Sequence, residues 1–170
     1  SWKRAGWPRR RKTVSPGVVT EEITTSKNGL MCTETIIKTP EGTLSTKQER
    51  QPGLEKTEST SWTSEKLFKG PQDYDALEFM IRDRQFLPDY ETFTKRQRQI
   101  GGDAFFKTGG PGAPIHEIIH IFMGIETFSI EWAERKERIL RLCDAMNESN
   151  RKLLSVIADS PALIVQCGGN

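Results

Sequence analysis

Between Val18 and about Trp62, stretches of the chain alternate polar and apolar residues with a period of two, as in Val18-Val19-Thr20-Glu21-Glu22-Ile23-Thr24 and Cys32-Thr33-Glu34-Thr35-Ile36-Ile37-Lys38. Such alternation, rich in Thr, Ile and Val, predicts strands. Between them Lys27-Asn28-Gly29 supplies an Asn-Gly pair whose tolerance of positive φ makes a tight hairpin turn. Pro40-Glu41-Gly42 supplies a second turn before Thr43-Leu44-Ser45. A small antiparallel β subregion over residues 18–62 is therefore expected.

After Gly70 the period changes. Pro71 suits a first helical turn, and Tyr74, Leu77 and Ile81 recur at three and four residues, which predicts an amphipathic helix. Pro88 opens another short helix through Phe93 toward Ile100, stopped by Gly101-Gly102. Asp103 to Thr108 reads as a strand leading into Gly109-Gly110-Pro111-Gly112, and a helix follows from about Pro114 to Met123. The longest pattern runs from about Arg135 to Ala158, with Ile139, Leu142, Cys143, Met146, Leu153, Leu154 and Ile157 in one apolar stripe. Ser160-Pro161 breaks it. Ala162-Leu163-Ile164-Val165-Gln166-Cys167 is too apolar for a half-exposed strand and predicts a central parallel one. Strand, loop, helices and strand form a right-handed βαβ crossover, so residues 71–170 are expected to be α/β barrel units.

Composition narrows the setting. The chain has 170 residues, with 25 Lys and Arg against 23 Asp and Glu, a net charge of +2. This near balance gives no global reason to expect nucleic acid or an acidic membrane as partner. The local exception is residues 1–12, with Lys3, Arg4, Arg9, Arg10, Arg11 and Lys12 beside Trp2 and Trp7 and no acid. Residues 1–17 are read as a basic, irregular segment, solvated rather than phosphate-binding. The longest apolar runs fall far short of the roughly 20 residues of a membrane-spanning helix. Cys32, Cys143 and Cys167 are odd in number and widely spaced, which suits a reducing, cytoplasmic compartment better than a disulfide framework. The chain starts at Ser1 rather than Met and ends on Gly-Gly-Asn just after an apolar strand. The expectation is an internal fragment of a longer domain, inactive by itself and prone to self-association, with a homo-oligomer one outcome.

His116-Glu117-Ile118-Ile119-His120 spells the zinc-protease pattern. On a helix, positions i and i+4 put two imidazoles on one face, and the Glu between them can activate a metal-bound water. A catalytic zinc needs a third protein ligand. The extended pattern would place a Gly and a His where Met123 and Glu126 stand, so Glu131, Glu134 and Glu137 are the remaining candidates. No metal is assigned on this basis, and the zinc peptidase stays an alternative to histidines that merely face a cleft. Gly110, Pro111 and Gly112 lie between a strand and a helix, where ligand sites of parallel α/β folds gather. No Gly-Lys-Ser/Thr makes this a P-loop. Cys167, Gly168 and Asn170 hold the equivalent place after the last strand. Neither His has a nucleophile at a diagnostic spacing, so no catalytic residue is assigned.

Three stretches in order resemble the uroporphyrinogen decarboxylase superfamily. Lys38-Thr39-Pro40-Glu41-Gly42-Thr43-Leu44 is similar to the family's TP-x-GTL turn. Lys66 to Leu77, with Pro88-Asp89-Tyr90-Glu91, is similar to its helices around "peDy" and "pDye". Met123-Gly124-Ile125-Glu126-Thr127-Phe128, the long helix and Ala158-Asp159-Ser160-Pro161 form the third. The resemblance spans residues 18–170.

It implies a partial (β/α)8 TIM barrel with its site at the carboxyl ends of the strands. Gly110-Pro111-Gly112-Ala113-Pro114 looks like the family's "GaP" loop, and Gly169 stands where an acid is common after the last strand. The family's true decarboxylases carry an arginine-bearing RQAGRY segment that Ser1 to Lys12 does not match. Its methyltransferases use a zinc held by His-x-Cys and a later Cys, a set this sequence lacks. The expectation is a decarboxylase-like enzyme that acts on a tetrapyrrole or in corrinoid-dependent methyl transfer. True uroporphyrinogen decarboxylation and a non-catalytic role are alternatives. No cofactor is expected in this stretch, although the full-length protein would hold zinc if it were a methyltransferase. A tetrapyrrole or corrinoid-protein substrate is the expected partner, with no nucleic acid and no membrane.

Overall fold

The computed structural model describes residues 11–27, 29–50, 61–102 and 105–167. Its first described element is a short strand, β1 (Arg11–Val14), followed by β2 (Val19–Lys27), β3 (Leu30–Thr39), β4 (Gly42–Arg50) and β5 (Trp62–Glu65). Strands β2 to β5 form one antiparallel sheet in sequence order, as the period-two pattern requires. Gly29 takes a φ of 76° at the first turn, although its neighbour Asn28 lies outside the described residues. Gly42 opens β4 at a φ of 146°, and a Cβ there would stand 3.4 Å from the Ala76 side chain. A left-handed backbone and a close helix thus both favour glycine at that turn.

Strand β2 is an outer strand, and Val19 and Ile23 are exposed on it. Cross-strand polar pairs serve it instead: the hydroxyls of Thr24 and Thr33 share a 3.1 Å hydrogen bond, and Lys38 reaches Glu21 at 2.6 Å. Toward the other side, Ile37 pairs in register with Leu44, and Leu44 is buried against the helices. A 3-10 turn (Pro71–Asp73) then leads into α1 (Tyr74–Arg82), whose Tyr74, Ala76, Leu77, Met80 and Ile81 are buried. Asp73 holds the approach by accepting a 2.6 Å hydrogen bond from the Lys69 amide.

Strand β6 (Gln85–Pro88) pairs antiparallel with β1, and α2 (Tyr90–Ile100) follows. After β7 (Lys107–Gly109) come α3 (Pro114–Glu117), a π-helical segment (Ile118–Met123) and α4 (Ile125–Glu134). Gly124, at a φ of 84°, separates the last two. The long α5 (Lys136–Ala158) buries Ile139, Leu142, Ala145, Met146, Leu153 and Ile157, and β8 (Ile164–Gln166) follows. One apolar core joins Leu44 of the sheet to Leu77 and Ile81 of α1, Ile118 and Phe122 of the π-helical segment, and Leu142 of α5.

Three expectations are corrected. A partial (β/α)8 barrel is not formed; the fold is mixed α/β. Parallel pairing among the described residues is confined to β7 and β8, whereas the larger sheet is an antiparallel meander. Tight turns can join only antiparallel neighbours, and β6 takes β1 as an antiparallel partner where a barrel would need a parallel one. The apolar run around β8 is also not a central strand. Leu163 is 84% exposed, Ile164 43% and Val165 41%, because among the described residues β7 is its one strand partner. Residues 11–14, expected to be irregular, are strand; the remainder of the basic block, residues 1–10, lies outside the described residues. Among the described residues no helix is long and apolar enough to cross a membrane.

Candidate functional site

Strands β7 and β8 run parallel, with Lys107 opposite Ile164, Thr108 opposite Val165 and Gly109 opposite Gln166. The Gly110 amide extends the ladder by donating a 2.8 Å hydrogen bond to the Gln166 carbonyl. This brings the glycine-rich loop and Cys167 together at the carboxyl ends of both strands, as the strand–loop–strand reading expects. A Cβ at Gly110 would stand 2.7 Å from the Cys167 Sγ and 3.2 Å from the Val165 Cγ1. Only glycine lets the loop lie on that thiol. Cys167 is exposed, Pro111 half-buried and Gly112 exposed, with the Gly112 carbonyl 3.4 Å from the Asn150 Nδ2 donor. Gly168 and Asn170, predicted to share this mouth, lie outside the described residues.

The loop runs directly into α3, where Pro114 sits at the first helical turn. His116 is half-buried and His120 exposed, and their rings lie 4.2 Å apart between centroids, tilted by 33°. A π-helical turn carries His120; its wider bonding is seen in the Gly124 amide, which donates to the Ile119 carbonyl five residues back at 2.8 Å. That turn buries Ile118, Phe122 and Met123 together. Glu117 is turned toward the Arg84 guanidinium at 3.5 Å, and Lys66 donates a 2.6 Å hydrogen bond to the His120 carbonyl.

Two of the proposed third zinc ligands are committed elsewhere. Glu131 is 3% exposed, takes 2.7 and 2.8 Å hydrogen bonds from Arg135, and accepts a 2.9 Å bond from the Tyr74 hydroxyl. Glu134 pairs with Arg135 at 2.8 Å. The Arg135 guanidinium holds the Glu131 carboxyl below its usual range, while burial and the neighbouring carboxylate push the Tyr74 phenol far up. Among the described residues, no three His, Cys, Asp or Glu side chains gather as a metal-ligand set. A Glu and an Arg four residues apart is a sequence signal for this network, but nothing in the sequence ties it to Tyr74.

A further feature is not readable from spacing. A cleft of about 340 Å³ opens between β1, β2, β3 and α1, with Thr13, Ser15, Thr20 and Arg84 around Ile37 and Met80. Asp83, the neighbour of Arg84 in the chain, accepts a 2.8 Å hydrogen bond from the Gly17 amide. Arg84 therefore serves both the cleft and Glu117. No family model, curated protein or solved structure matches this chain.

Proposed function

We propose that this chain belongs to an enzyme similar to the uroporphyrinogen decarboxylase superfamily, acting on a tetrapyrrole or in corrinoid-dependent methyl transfer. The observation that carries the reading is the seating of Gly110 on Cys167 at the carboxyl ends of β7 and β8. Ligands of parallel α/β units bind at that end of the strands, where loops are free to vary without disturbing the sheet. The TP-x-GTL-like turn at Thr39 to Leu44 and the Pro88-Asp89-Tyr90-Glu91 stretch support the same reading.

In this reading the Gly110–Gly112 loop and Cys167 contact the macrocycle, and His116 lies on the first helical residues beyond the loop. The zinc set of the family's methyltransferases does not fit these residues, because the sequence has no His-x-Cys, so no step here runs through zinc. All three cysteines are free thiols, which supports a reducing, cytoplasmic setting.

The test is an equilibrium titration with uroporphyrin and, separately, methylcobalamin, followed by quenching of tryptophan fluorescence. The expected result is saturable binding of one of them, weakened about tenfold, or 1.4 kcal/mol, by Gly110→Ala. Binding of neither macrocycle contradicts the proposal.

A further inference from the structure

We infer that His116 and His120 form a two-imidazole site for a borderline divalent cation such as Ni²⁺ or Zn²⁺, with the remaining positions open to water or an external ligand. The inference does not rest on the proposed function, since it concerns the helix beyond the loop and no macrocycle enters it.

Metal–nitrogen bonds to histidine are about 2.0–2.1 Å, so two rings that share an ion must lie nearly side by side. The two ring centroids lie 4.2 Å apart, tilted by 33°, which places both imidazoles within side-chain reach of one ion. Their placement is built into the fold. Pro114 starts the helix, and the π-helical turn buries Ile118, Phe122 and Met123, which fixes the backbone on both sides of His120. π-Helical turns recur at functional sites because they re-aim side chains at a cost in helix stability.

The surrounding charges suit a binding site better than a peptidase. Glu117, which would have to act as base, is turned to Arg84, and Glu131 is held by Arg135 and Tyr74. The Lys66 ammonium is engaged by the His120 carbonyl. What remains is a pair of imidazole nitrogen donors, a set that favours borderline first-row ions over the oxygen-seeking Mg²⁺ and Ca²⁺.

The chain contains only two histidines, so their imidazole proton signals can be followed one by one in an NMR titration with Ni²⁺ at pH 7.5. Both sets are expected to broaden together below one equivalent of Ni²⁺. In His120→Asn the His116 signals should broaden only at about tenfold higher Ni²⁺ or more, since even loss of an outer-shell partner costs that much. His116→Asn should behave reciprocally, and thermal melts without metal verify that both variants are folded. Imidazole signals that stay sharp at equimolar Ni²⁺ overturn the inference. So does a folded His120→Asn variant whose His116 signals broaden at the wild-type midpoint.

Discussion

Arg135 grips the buried carboxylate of Glu131 with two nitrogens, at 2.7 and 2.8 Å, at the corner where α4 hands over to α5. The same carboxylate receives the Tyr74 hydroxyl of α1, so three helices meet on one buried charge. A buried carboxylate is tolerated only when its oxygens are satisfied, and here both are. The arrangement is a structural clamp that sets the angle between α4 and α5.

Tyr74→Phe removes one arm of that clamp while keeping the aromatic contact with Phe68, whose ring centroid lies 4.7 Å away. The expected loss is about 1.5–3 kcal/mol, the range for a hydrogen bond to a charged group. Urea unfolding followed by circular dichroism should show a lower midpoint with an unchanged slope. An unchanged midpoint would mean the hydroxyl contributes nothing.

The clamp also dictates a pH profile. Arg135, then the Tyr74 hydroxyl, lower the Glu131 pKa below its ordinary 4.5, so its contribution is present above that value and lost as pH falls through the lower, folded-state pKa. Burial first, then Glu131, raise the Tyr74 pKa above 10.0, so its contribution is present below 10.0 and fades as pH rises beyond it. Unfolding free energy measured against pH should hold a plateau between these limits. Tyr74→Phe should flatten the alkaline limb; an identical alkaline fall in the variant would assign it to another group.

Ser149, buried on α5, has a hydroxyl with no hydrogen-bond partner. Burying a polar group without a partner is unfavourable, and alanine is the better helix former. Ser149→Ala is therefore expected to leave stability unchanged or raise it by up to about 1 kcal/mol. A clear drop in melting temperature would show that the hydroxyl is satisfied in solution.

Gly110→Ala drives a methyl group against the Cys167 sulfur and the Val165 side chain, and should lower the melting temperature. Cys167→Ala removes the sulfur. In that background the cost of Gly110→Ala should shrink by about 1 kcal/mol, a coupling typical of residues in contact. Strict additivity would separate the loop from the thiol.

The β-rich part of this fold was readable because its signals are local. Gly29 and Pro40-Glu41-Gly42 mark turns between neighbouring strands, and alternation along Cys32 to Lys38 marks the pleat. The parallel pairing of the strands before Gly110 and Cys167 was also readable, although the shared strands are shorter than expected. The barrel was not, because apolar content reports a preference for burial and never names a partner. Leu163 to Val165 is as apolar as any central strand, yet among the described residues it pairs with one strand and stays exposed. The pairing of β1 with β6 joins residues more than 70 positions apart, such as Arg11 and Pro88, and no turn signal announces it. In the candidate site the nearness of His116 and His120 follows from helical spacing, whereas the engagement of Glu117 by Arg84 depends on packing between elements.

A tetrapyrrole-type macrocycle is proposed to bind at the joined carboxyl ends of β7 and β8. Amide hydrogen exchange read by mass spectrometry, with and without saturating uroporphyrin or methylcobalamin, tests it most directly. Slower exchange is expected in peptides that cover residues 107–116 and 164–167, lost in Gly110→Ala at the same ligand concentration. Binding that protects other segments and leaves these two unchanged, or no protection with either macrocycle, would contradict it.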